Sequence, residues 1–133
     1  MSDPLAASVA LTVLHVVARD GLVQRAHDLG TQLRERLRCL VDDCAVVADA
    51  RGRGLLQGIE LRAPDGGSTS ADYLGRAVTA ECLERGLHVN LLQLPGAGHV
   101  MRIAPPLTID AADLHKGLNI LGEALHEVAA RTA

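Results

Sequence analysis

"AVVADARGRGLLQGIELR", residues 45–62, holds three glycines spaced G-x-G-x-x-x-G and admits two readings. One is a phosphate-binding loop, the other a turn between two strands. A dinucleotide fingerprint places its glycines after a strand and at the N-terminus of a helix, and a P-loop needs Gly-Lys-Ser/Thr. Here the glycines precede a second β-branched run, and no such lysine follows. The stretch therefore reads as two short strands around a tight Gly52–Gly54 connection. Arg51 and Arg53 flank that turn, and nothing in the sequence requires an anion beside them.

Around this hairpin the periodicity is helical. Upstream, Asp3-Pro4 supplies an N-cap and a first-turn proline. The run "LAASVALTVLHVVA" that follows is apolar nearly all round, so this helix calls for cover on more than one side. Gly21 interrupts it. A second helix repeats Leu22, Ala26, Leu29, Leu33, Leu37 and Leu40 at threes and fours, with Arg25, Asp28, Gln32, Arg34, Glu35 and Arg38 on the solvated side. Downstream, "APDGGSTS" is a turn-rich loop. Residues 71–85 form a helix with Leu74, Val78 and Cys82 on one side and Gly86 as its C-cap. "LHVNLLQL" and "HVMRI" are strands separated by "PGAG". The last helix, capped by Asp110, carries Leu114, Leu118, Leu121, Leu125 and Val128. The order ααββαββα predicts an α/β chain of α+β type, with helices packed on one face of a small, mainly antiparallel sheet.

Composition narrows the function. The chain has 133 residues, enough for one core, and a formal net charge of −3. That balance argues against a nucleic-acid or anionic-membrane surface. No apolar run reaches membrane-spanning length and no signal peptide opens the chain, which points to the cytoplasm. Cys39, Cys44 and Cys82 read as reduced, buried thiols. Phe and Trp are absent and Tyr73 is the only aromatic residue, so little surface exists for stacking a ring.

Few residues carry chemistry. The histidines lack zinc-site spacing, and no Gly-x-Ser-x-Gly elbow exists. Lys116 lies off the apolar stripe of the last helix, without the desolvation a Schiff-base lysine needs. Asp3 is explained by its capping role alone, since a cation site demands more oxygen ligands than its neighbours offer. Arg102 stands out. It interrupts an apolar strand that Pro105 and Pro106 then stiffen. A guanidinium so held can grip a carboxylate with two parallel hydrogen bonds, or it can form a surface ion pair on an edge strand.

Four segments together are distinctive: "SDPLAASVALTVLHVVARDGLVQRA", "DARGRGLLQGIEL", "NLLQLPGAG" and "MRIAPPLT". Over nearly its whole length the chain resembles the C-terminal small domain of class III (fold type I) pyridoxal-phosphate-dependent aminotransferases. "SDPL" and "LLQLPGAGHVMRIAPPLT" are most similar to the 2,2-dialkylglycine decarboxylase branch. The resemblance implies that residues 1–133 are one such domain and that Arg102 binds the substrate carboxylate. It implies that Asp3 is a ligand of an alkali-metal ion, whose other ligands come mostly from earlier in the family's chain. The implied reaction is decarboxylation of a 2,2-dialkylglycine followed by transamination to a 2-oxo acid. A plain amino-acid transaminase is the alternative, and a non-catalytic remnant or docking domain a further one. The family's cofactor lysine, its pyridine-nitrogen aspartate and its ring-stacking residue all belong to a preceding large domain. This chain alone is therefore expected to be non-catalytic and to hold no pyridoxal phosphate. Its expected partners are that large domain or a homo-oligomer of the complete enzyme, with amino-acid and 2-oxo-acid substrates. The apolar first helix would leave an exposed patch in isolation.

Overall fold

A computed structural model describes residues 3–63, 70–93 and 99–132. The predicted loops at 63–70 and 95–98 lie largely outside those residues, as do Met1, Ser2 and Leu94. Eight elements follow in order: α1 (Pro4–Arg19), α2 (Leu22–Asp43), β1 (Val47–Arg53), β2 (Leu56–Leu61), α3 (Ala71–Glu84), β3 (Asn90–Gln93), β4 (His99–Ile103) and α4 (Ala111–Thr132). The strands form one sheet in the order β1-β2-β4-β3, and every neighbouring pair is antiparallel.

Residues 45–62 do form the hairpin. Its tip lies slightly later than the sequence suggested, because Gly52 and Arg53 still pair with Gln57 and Leu56. Gly54 takes the turn with φ of 54°, a left-handed conformation that disfavours a Cβ. α2 then packs onto that tip. A Cβ on Gly30 would stand 2.4 Å from the carbonyl carbon of Gly54, so helix and hairpin meet backbone to backbone.

One face of the sheet builds the core. Ile59 on β2 and Met101 on β4 are register partners and both are fully buried. They join Leu33 and Leu37 of α2, Leu74 and Val78 of α3, and Leu121 and Leu125 of α4 in one cluster. Each such aliphatic side chain contributes about 1.5–3 kcal/mol of transfer free energy on burial, so a core without large aromatics is sufficient. α2 and α3 lie on the sheet, and α4 packs against both of those helices. α3 ends as predicted at Gly86 (φ 86°), where Gly86 N–H donates to the Leu83 carbonyl and Leu87 N–H to the Cys82 carbonyl.

One expectation is met and one corrected. As expected of this chain by itself, α1 leaves an apolar surface bare: it contacts α2 but reaches no strand, and not one of its residues is buried. Leu5 is 74 % exposed and Leu14 64 %, so the cover this apolar helix calls for is not supplied by the described residues. The three thiols are free, but only Cys44 and Cys82 are buried; Cys39 is exposed. Burial pushes the Cys82 thiol up to about 11 and raises that of Cys44 as well.

Candidate functional site

Alternation along β4 sends Met101 into the core and leaves Arg102 exposed on the opposite side. The strand order corrects the edge-strand alternative. β4 runs between β2 and β3, so Arg102 sits in the interior of the sheet, opposite Gly58 on one side and Asn90 on the other. It makes no side-chain hydrogen bond or ion pair with any described residue. Arg51, the register partner of Gly58 on its other side, differs in this respect. Its guanidinium is bound by Asp49 at 2.8 Å and Glu60 at 2.7 Å, which hold it in the charged form above the usual arginine range. Two arginines thus share one row of the sheet, one neutralised by carboxylates and one left open.

Beyond Ile103 the chain passes through Ala104, Pro105 and Pro106 to the cap of α4. Asp110 accepts from Asp113 N–H at 2.8 Å, as the sequence suggested. Arg25 of α2 donates to the Ile109 carbonyl and ties this segment down. The proline segment, β3, β4 and the first half of α4 enclose a cleft of about 440 Å³. Its walls are mostly aliphatic, with His88, Asn90, Arg102 and Asp113 as the polar side chains. A cleft with apolar walls and one guanidinium that no described residue pairs suits a small anion bearing an apolar body. Asn90, His88 and Asp113 were not anticipated from the sequence. Strand register, a long-range property, sets Asn90 opposite Arg102, and His88 and Asp113 join the same cleft from the segment before β3 and from α4.

A second depression of about 540 Å³ lies at the hairpin tip and shares Ala104 and Pro105 with the first. Arg53 and His27 are its polar side chains.

Asp3 caps α1 as expected. One carboxylate oxygen, Oδ1, accepts from Leu5 N–H at 3.0 Å and Ala6 N–H at 3.3 Å. Among the described residues no three His, Cys, Asp or Glu side chains converge as a metal site, so Asp3 does not assemble a cation site from them. Lys116 is exposed on α4 and lines neither cleft, and Tyr73 is exposed on α3. The residues described do not fit pyridoxal phosphate: the Arg102 cleft contains no lysine to form an imine and no Phe, Tyr or Trp ring to stack on.

Comparison with known proteins agrees with this fold. The family model described as "Aminotransferase class-III" matches residues 1–125. An uncharacterized aminotransferase of Schizosaccharomyces pombe is 45 % identical over 124 residues, which are 93 % of this chain and 28 % of that protein. A leucine/methionine racemase of Thermococcus litoralis is 33 % identical over 128 residues, 96 % of this chain and 28 % of that protein. Among solved structures, a transaminase with L-alanine superposes with a TM-score of 0.82 at 32 % identity, covering 98 % of this chain and 30 % of that one. The chain thus spans less than a third of the length of each.

Proposed function

The chain belongs to the class-III aminotransferase family, and from that premise we propose that it is the C-terminal small domain of a pyridoxal-phosphate enzyme, presenting Arg102 to the carboxylate of an amino-acid substrate. The observation that carries this reading is the guanidinium of Arg102, unpaired among the described residues and fixed on an interior strand at the mouth of an aliphatic cleft. L-alanine, which accompanies the similar transaminase, is an α-amino carboxylate of the size such a cleft suits. Pyridoxal phosphate would supply the electron sink in the complete enzyme and would be held by residues outside this chain. Arg102 would orient the substrate by its carboxylate, and the aliphatic wall would accept its side chain.

The similarity of "SDPL" and "MRIAPPLT" to the 2,2-dialkylglycine decarboxylase branch favours a decarboxylating transaminase, with a plain amino-acid transaminase as the second reading. Within the first, Asp3 contributes one ligand to an alkali cation completed by the rest of the enzyme. Its Oδ2, which makes no hydrogen bond to a described residue, is the oxygen available for that. The uncovered apolar surface of α1 is the seat for the large domain.

The test is Arg102→Ala in the complete enzyme. Loss of a bidentate charged pair should weaken amino-acid binding by about 2–4 kcal/mol, while cofactor affinity stays within about twofold. Unchanged amino-acid affinity would refute the assignment.

A further inference from the structure

The two flanks of Arg102 are not equivalent. Gly58, its β2 partner, offers no side chain, and a Cβ built there would meet Val100 Cγ1 at 3.1 Å. On the β3 flank stands Asn90, exposed, lining the same cleft and without a side-chain hydrogen bond to any described residue. Directly opposed residues on antiparallel strands hold their Cβ atoms about 4.5–5.5 Å apart, within reach of an amide and a guanidinium. Asparagine is depleted in strands, so its place in this four-residue strand calls for a reason beyond sheet formation.

We propose that Asn90 is a positioning residue for Arg102 in carboxylate recognition, an inference that rests on the reading of Arg102 given above. With a carboxylate bound, the Asn90 amide oxygen would accept one guanidinium N–H, a bond not formed between these residues in this structure, and so limit the sweep of a side chain whose β2 partner, Gly58, offers no side chain. The remaining N–H groups then form the fork that meets the carboxylate.

The experiment is a double-mutant cycle in the complete enzyme, read by calorimetric binding of isobutyrate, a carboxylate that carries no reactive amine. Asn90→Ala should weaken isobutyrate about tenfold, the loss of one charge-assisted hydrogen bond, and should have no further effect in an Arg102→Ala background. Asn90→Asp should weaken it more than Asn90→Ala, because a carboxylate at that position competes with the ligand for Arg102. A merely structural role would not produce that order. If Arg102→Ala weakens isobutyrate but Asn90→Ala does not, or the two losses simply add, Asn90 has no positioning role and the Arg102 assignment stands. If Arg102→Ala itself leaves isobutyrate binding unchanged, the parent reading falls and this inference with it.

Discussion

Gly30, in the middle of α2, approaches Gly54 at the hairpin tip so closely that a Cβ on Gly30 would lie 2.4 Å from Gly54 C and 2.6 Å from its carbonyl oxygen. Both obstructing atoms are backbone, so neither can swing aside. This contact sets where α2 sits on β1 and β2. Gly30→Ala should therefore destabilise the fold by about 2–3 kcal/mol, the upper range for overpacking, although alanine is the better helix former by about 1 kcal/mol. Denaturant unfolding of the two variants measures the difference. A neutral or stabilising result would show that helix and hairpin slide apart freely.

The bare apolar surface of α1 predicts self-association of the isolated chain. Val9 and Val13, four residues apart and both more than half exposed, lie on one face of the helix. Val9→Glu with Val13→Glu should shift the chain to monomer in sedimentation velocity and abolish its assembly with the large domain. Unchanged sedimentation would place the sticky surface elsewhere.

Asp3 separates two roles by a single atom change. Asp3→Ala removes the cap and should cost about 1 kcal/mol, whereas Asp3→Asn keeps a good capping side chain and removes the charge. In the complete enzyme Asp3→Asn should retain thermal stability yet weaken the dependence on alkali cation measured in a salt titration. A cation dependence unaltered by Asp3→Asn would leave Asp3 a cap only.

The thiols give a titration test. The folded Cys82 value of about 11 lies above the ordinary thiol value, because burial disfavours the thiolate. The associated stability is fully present below the ordinary thiol value and is lost as pH rises through about 11. Native protein at pH 8 should accordingly expose one thiol, Cys39, to a disulfide reagent, and unfolded protein all three. Rapid native reaction at Cys44 or Cys82 would contradict the packing described.

Acid acts on the neighbouring residue of the same helix. Glu81 on α3 is held below the usual carboxylate range by hydrogen bonds and charge from Arg85, at 2.8 Å, and Arg131 of α4, at 3.3 Å. A depressed carboxylate adds stability above its unfolded value, and that stability disappears as pH falls through the folded one. Glu81→Gln should flatten the loss of stability on acidification below the ordinary glutamate range. An unchanged slope would mean that these ion pairs contribute nothing.

Local features were legible and long-range ones were not. Asp3, Asp110 and Gly86 announced helix ends because capping depends on a few adjacent residues. The leucine spacing of α2 and α4 marked their buried faces, and the glycine pattern at 52–58 gave the hairpin. The same spacing puts Cys39 about 200° round α2 from Leu37, so its exposure was available in the sequence. The interior place of β4 was not available, since pairing β2 with β4 joins segments separated by α3 and β3. Neither were the neighbours of Arg102, because Gly58 and Asn90 reach it only through that register. Arginine before two prolines marked a candidate position; what surrounds it had to be seen.

The most direct test is the native size of the species that carries this segment, followed with an antibody through size-exclusion of an extract from source cells. The match covers 28 % of each of two relatives, so under the proposed reading the 14.0 kDa segment belongs to a polypeptide, or an assembly with a large domain, of about 50 kDa or more. Elution at or above that size, together with bound pyridoxal phosphate, is the result predicted. Elution as a free 14.0 kDa species without cofactor would contradict it.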